Sequence, residues 1–234
     1  LELFEREAEV LAELDHPRIP SYIDYFPLEP DQPDSELVLV QEYVPGNPLD
    51  SYLQSGRTMS TGDIETWFRE ILEVLDYLQG RNPPIVHRDI KPGNIIIADA
   101  DGEANLIDFG TVQARLLHET ESGSTIAGSF GYAAPEQFMG RAGPSSDLYA
   151  LGAILYEILT LGTVFQATSV LSLLFKAAQE DPAPPSERAP DREIPSELED
   201  ICLKALSKEA DRRHQSCQEF ADDLELFLEG VKER

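Results

Sequence analysis

Cysteine is scarce: the 234 residues carry two, Cys202 and Cys217. They form no ligand-like pair and suggest no disulfide framework, so a reducing, cytosolic compartment is the default expectation. Positive charge is scarce too. Only 18 Lys and Arg stand against 44 Asp and Glu, a formal charge of −26. Such a field opposes nucleic acid and anionic lipid, so neither is expected as a partner. Two readings of the acidic surface stay open: a solvated shell that keeps the protein soluble, and attraction of Lys/Arg-rich peptides. There is no membrane-like run. The longest apolar stretch, LYALGAILYEILTLGTVF, contains Glu157, directly follows Asp147 and reads as a buried helix. Signal peptide, internal repeats and an opening Met are all lacking. The first residues, LELFEREAEV, are already in helical rhythm, which gives the expectation that the chain was cut from something longer.

What is present is a globular composition, 41% hydrophobic and 26% charged, long enough for one large domain or two small ones sharing a cleft. Residues 1–15 read as a helix with Phe4, Glu7, Leu11 and Leu14 on one stripe. Ser35 to Val44 is a β-branched strand, broken by Pro-Gly-Asn-Pro. From Ser60 a second helix starts, with Ser60 and Asp63 spaced as a capping box. Its apolar face is Ile64, Trp67, Phe68, Ile71, Leu72, Leu75 and Leu78, and Gly80 with Pro83-Pro84 stops it. Ile95–Ile97 and Ala104–Ile107, with Asp101-Gly102 between, predict a β-hairpin. Residues 110–134 are rich in Gly, Ser and Thr. Helical signal returns at Asp147 and continues to the end, interrupted by a Pro-rich connector at 180–195. The order is α+β.

The stretch IVHRDIKPGNIII, Ile85 to Ile97, encloses polar residues between two apolar anchors. The hairpin that follows brings its two ends together, Asn94 before the first strand and Asp108 after the second. An amide oxygen and a carboxylate at one point make a hard-oxygen site suited to Mg²⁺ with phosphate oxygens. Asp89 and Lys91 stand on the loop that feeds the same strand. A carboxylate there can orient a hydroxyl and take its proton, and an ammonium can neutralise a moving phosphoryl group.

HRDIKPGN, followed by IDFG and GYAAPE, resembles the eukaryotic-type (Hanks-type) protein Ser/Thr kinase family over essentially the whole chain. DFGTVQ and GYAAPEQF resemble its bacterial branch. The resemblance implies a protein-kinase-like fold. Residues 1–44 would be a partial N-lobe (helix C, strands, hinge) and 45–234 the C-lobe, with catalytic loop 87–94 and activation segment 108–136. It implies Asp89 as base and Lys91 as phosphate-neutralising cation, with Asn94 and Asp108 as ligands of Mg²⁺ that comes with ATP. His87 and Phe109 become packing residues. Glu7 takes the place of the helix-C glutamate that pairs with a strand lysine. Glu42 to Val44 resemble the hinge that binds adenine, with Gln41 as gatekeeper. Glu136 and Arg213 match the ion pair that ties down the activation segment. Asp147 matches a carboxylate that braces the catalytic loop, although Ser145-Ser146-Asp147 also reads locally as a helix cap.

No Gly-rich loop and no Val-Ala-x-Lys strand precedes Glu7, and a buried carboxylate without a partner is costly. The sequence is therefore expected to be a fragment or truncated form that, alone, transfers phosphate poorly. The implied activity is ATP-dependent phosphorylation of Ser/Thr hydroxyls of a protein substrate, with Lys91 and Ser129 as marks of the Ser/Thr branch. A catalytically dead scaffold is the alternative, and intact Asp89, Asn94 and Asp108 argue against it. A small-molecule phosphotransferase is a third reading, disfavoured by the long segment that ends in Ala-Pro-Glu.

Arg88, preceding Asp89, resembles the arginine that holds a phosphorylated activation segment, with Thr125 as the matching phosphate site. Gln113 stands where the family is often basic, so Arg115 would supply the second cation. Mass spectrometry of the full-length protein incubated with ATP should find phosphate on Thr125 or neighbouring Ser124. Full activity after both are changed to Ala would exclude that role.

Overall fold

β-Branched residues punctuated by turn formers give all the described strands in the first half, around one long apolar helical stripe, and further apolar stripes make the second half helical. The computed structural model describes residues 11–28, 37–56, 59–108 and 130–232. In chain order these hold β1 (Tyr22–Pro27), β2 (Leu37–Gln41), β3 (Gly46–Pro48), α1 (Leu49–Gln54), α2 (Thr61–Gln79), β4 (Ile95–Ala98) and β5 (Ala104–Leu106). They continue with α3 (Pro144–Thr160), α4 (Val170–Gln179), α5 (Pro185–Arg188), α6 (Ser196–Ala205) and α7 (Cys217–Lys232). Most of the first expected helix, residues 1–10, lies outside the described residues.

β1 and β2 form an antiparallel pair, with Tyr25 opposite Leu39. A second sheet has the order β3-β4-β5, with Ile95 opposite Leu106 and Ile97 opposite Ala104. Ile95, Ile97, Ala104 and Leu106 are buried, as alternation along a half-covered sheet requires. The Pro-Gly-Asn-Pro stretch, read from sequence as a breaker, contains the short strand β3. Gly46 makes this possible, because a Cβ there would lie 2.2 Å from the Ile97 carbonyl oxygen. Pro48 is tolerated because β3 is an edge strand of this sheet.

α2 starts at the capping box. The Ser60 hydroxyl accepts from the Asp63 N–H at 3.1 Å, and the Asp63 carboxylate accepts from the Ser60 N–H at 3.0 Å. Its buried face includes every apolar residue of the predicted stripe. α7 packs along α2. The longest apolar run forms α3, buried on nearly all sides. Gly152 lets α6 approach it, since a Cβ there would meet the Ala205 Cβ at 2.6 Å. α3 begins at Pro144 with Gly143 as its N-cap, so Asp147 sits inside the first turn and does not cap the helix. The Pro-rich connector holds the single-turn α5. Both cysteines are free and buried. Among the described residues no helix is long and apolar enough to cross a membrane.

Ser60→Ala removes one half of the capping box and should cost about 1 kcal/mol. Thermal unfolding followed by circular dichroism should show a fall of roughly 2–4 °C for a chain of this size.

Candidate active site

Two consecutive N–H groups of the loop, those of His87 and Arg88, donate to the two carboxylate oxygens of Asp147, each at 2.9 Å. Directly after this grip the backbone at Arg88 lies in the left-handed region, φ 67°, a conformation that a non-glycine residue adopts at a cost. Asp147 is 1% exposed. Burial pushes its carboxyl up to about 7, while the two N–H donors and the Arg88 charge pull it down. His87 is buried too; desolvation lowers its pKa to about 4, and its Nδ1 accepts from the Asp89 N–H at 3.3 Å.

The polar groups of the loop converge on Asp89. The Lys91 ammonium donates to Asp89 Oδ2 at 2.7 Å. The Asn94 amide nitrogen donates to the Asp89 carbonyl at 2.8 Å and to Asp89 Oδ2 at 3.0 Å. That leaves the Asn94 amide oxygen without a donor among the described residues. A 3-10 turn, Pro92–Asn94, sets Asn94 at the start of β4. The hairpin closes on the same residue, since the Ile107 N–H donates to the Asn94 carbonyl at 2.9 Å. Asp108 follows directly, with φ 58°. Among the described residues no group of three or more His, Cys, Asp and Glu forms a metal cluster. Mg²⁺ does not need one, because it keeps waters and takes one or two protein oxygens beside phosphate oxygens. One carboxylate and one free amide oxygen at the mouth of one hairpin fit that demand.

Glu42, Tyr43 and Val44 leave β2. The Glu42 N–H is held by the Ser21 carbonyl at 2.8 Å. Its carboxylate accepts from the Ser21 hydroxyl at 3.1 Å. Among the described residues the Glu42 carbonyl and the Val44 N–H have no backbone hydrogen-bond partner.

Glu136 lies in a 3-10 turn, Pro135–Met139. Arg213 meets it with two parallel bonds, 2.6 and 2.9 Å. The same guanidinium donates to the carbonyls of Ser207, Ser145 and Lys208 at 2.7, 3.0 and 2.9 Å. All five of its donors are thus used, and its side chain is fully buried. It also lies 4.9 Å from the Tyr149 ring centroid. Burial alone would raise the Glu136 carboxyl. The bonds from Arg213 and Ser146 win and hold it below its ordinary range. The resulting stability is present above the unfolded pKa and is lost as pH falls through the depressed folded value.

Two contacts had no reading in the sequence. Gln137, 7% exposed, donates to the Arg88 carbonyl and accepts from the Ala134 N–H, both at 2.9 Å. It ties the segment before α3 to the loop, and no local pattern announces it. Tyr132 donates its hydroxyl to Glu157. Here a signal existed, for Glu157 is the carboxylate inside the longest apolar run. Glu7, Phe109, Thr125 and Ser129 lie outside the described residues.

The protein kinase domain family matches residues 2–223. The chain belongs to that family. It is 36% identical to a probable serine/threonine-protein kinase of Streptomyces coelicolor, with 97% of this chain and 33% of that protein covered. It is 34% identical to serine/threonine-protein kinase PknB of Mycolicibacterium smegmatis, covering 97% of this chain and 36% of that protein. With PrkC of Bacillus subtilis the identity is 32%, covering 97% and 34%. The chain therefore spans about a third of the length of the curated relatives it matches. A crystal structure of Rad53 1-466 in complex with AMP-PNP shares the fold, with a TM-score of 0.74 at 23% identity, covering 95% of this chain and 54% of that one. Kinase domains of this family generally use ATP with Mg²⁺.

In this kinase domain, Asp147→Ala should leave the N–H groups of His87 and Arg88 without an acceptor, at about 1–3 kcal/mol for each. Urea unfolding should show that loss, and hydrogen exchange at both amides should accelerate. Unchanged exchange would mean that the loop holds itself.

Proposed function

We propose that this kinase domain transfers the γ-phosphoryl group of ATP to Ser or Thr hydroxyls of a protein substrate. One observation carries the reading: the Lys91 ammonium and the Asn94 amide both reach Asp89 Oδ2, at 2.7 and 3.0 Å, at the end of the hairpin that delivers Asp108. Asp89 holds the acceptor hydroxyl and takes its proton at a carboxylate oxygen. Lys91 lies against that carboxylate and offsets negative charge on the transferred group. Asn94, through its amide oxygen, and Asp108, through its carboxylate, hold Mg²⁺. The metal, when bound, neutralises charge on the ATP phosphates. The Glu42 carbonyl and the Val44 N–H take the adenine edge, and Glu7 pairs with a cation over the phosphates. Most of this binding is electrostatic positioning, which suits a reaction that asks little covalent chemistry of the protein.

Regulation fits the same frame. Arg88 Nε is buried without a hydrogen-bond partner among the described residues. A phosphate on Thr125 would supply charge and acceptor oxygens for it, and Ser129 would mark the Ser/Thr specificity. The Glu136–Arg213 pair fixes the far end of the activation segment.

In the full-length protein, Asp108→Ala should abolish Mg²⁺-dependent nucleotide binding. Asp89→Asn should keep that binding and lose turnover by about 10²–10⁴-fold, the usual worth of a positioned base. Nucleotide titration and a radiolabelled-ATP assay separate the two. Equal loss of nucleotide affinity in both variants would overturn the division of roles.

A further inference from the structure

β5 leads to Asp108 with only Ile107 between, and it is the outer strand of its sheet. Its groups alternate. The Glu103 carbonyl and the Ile107 N–H face β4, bonded to the Ala98 N–H and the Asn94 carbonyl at 2.9 Å each. The N–H groups of Ala104 and Leu106 face the other way. On an ordinary edge such groups go to water or invite another strand. Here both residues are 0% exposed, and neither N–H is taken by a strand. Ala104 donates to Glu70 Oε2 at 2.6 Å, and Leu106 donates to the Arg18 carbonyl at 3.0 Å.

The two acceptors are themselves joined. Arg18 Nη2 lies 3.2 Å from Glu70 Oε1, and Arg18 Nη1 donates to Glu103 Oε2 at 2.6 Å. Glu70 projects from the buried face of α2 and is 4% exposed. A carboxylate there is costly unless paired and hydrogen-bonded. Burial raises its pKa, against the Ala104 N–H and Arg18, which lower it. α2 grips the same hairpin a second time, at its turn, where Trp67 Nε1 donates to the Gly102 carbonyl at 2.9 Å.

We propose that Arg18, Glu70 and Glu103 form a positioning cluster that fixes β5 and, through it, the place of Asp108 beside Asn94. The inference rests on reading Asp108 as a Mg²⁺ ligand. Asp89 and Lys91 stand on a loop fastened independently by Asp147. The cluster therefore acts on the metal and nucleotide step and not on proton transfer.

The test uses the full-length protein with Arg18→Met, Glu70→Gln, Glu70→Leu and, as a control of the underlying reading, Asp108→Ala. Binding of a non-hydrolysable ATP analogue is titrated with Mg²⁺. Arg18→Met and Glu70→Leu should raise the Mg²⁺ concentration at half-saturation about tenfold, the usual effect of losing an outer support of a metal ligand. Glu70→Gln keeps an oxygen for the Ala104 N–H and should raise it less. Turnover at saturating Mg²⁺ and ATP should be retained, and the Ala104 and Leu106 amides should exchange faster while those of α3 do not. Should Glu70→Leu fail to fold, Arg18→Met and Glu70→Gln decide the question. An unchanged Mg²⁺ midpoint in these variants, with binding lost in Asp108→Ala, overturns the cluster and leaves the kinase reading standing. Binding that survives in Asp108→Ala overturns both.

Discussion

The carboxylate of Asp147 accepts two consecutive backbone N–H groups, and the active loop takes its shape from that contact. Both N–H groups that Asp147 holds lie just before the left-handed turn at Arg88, which redirects the chain that leads on to Asp89. Such a backbone costs energy and persists where its surroundings over-determine it. With the turn made, Asp89 faces Lys91 and Asn94, and the Asn94 carbonyl meets Ile107. Asp108 follows one residue later. Asp89, Lys91 and Asn94 are thus placed by one buried acceptor, and Asp108 joins them through the hairpin.

The first turn of α3 does more than hold that loop. Three consecutive residues there each fasten a different part: the Ser145 carbonyl takes Arg213, the Ser146 hydroxyl donates to Glu136, and Asp147 takes the loop. The rest of α3 is buried among the other helices and cannot shift without disturbing the core. The loop of Asp89 and the Glu136–Arg213 pair are therefore referred to one rigid point. Arg213 illustrates the energetics. A buried ion pair is weak evidence for net stability, yet losing one partner leaves an uncompensated charge. With every donor of Arg213 occupied, its value lies in specifying one geometry. Gln137 closes the circuit between anchor and loop by bonding to the Arg88 carbonyl.

What was legible in the sequence is what depends on neighbours in the chain. The capping box and apolar stripe of α2 are local patterns of short range, and the structure has the helix where they place it. The β4-β5 hairpin follows from two β-branched runs and a turn, and it alone brings Asn94 and Asp108 to the same end. Motif order and spacing carried the family. What the sequence could not show are contacts made across long separations. A Ser-Ser-Asp at a helix start reads as a cap, and only packing turns Asp147 toward residues far earlier in the chain. Pro-Gly-Asn-Pro reads as a breaker, and only the neighbouring strand makes Gly46 part of a sheet. Glu70 looks like one more charge on an amphipathic helix. Its burial, and its bond to the Ala104 N–H, arise because an edge strand and Arg18 arrive on the same face. The sequence by itself determined the long helices, the β4-β5 hairpin, the family and the residue types available for chemistry, because those rest on local periodicity and motif spacing. Tertiary structure decided which buried polar groups find partners, because a hydrogen bond between distant residues depends on how whole elements pack.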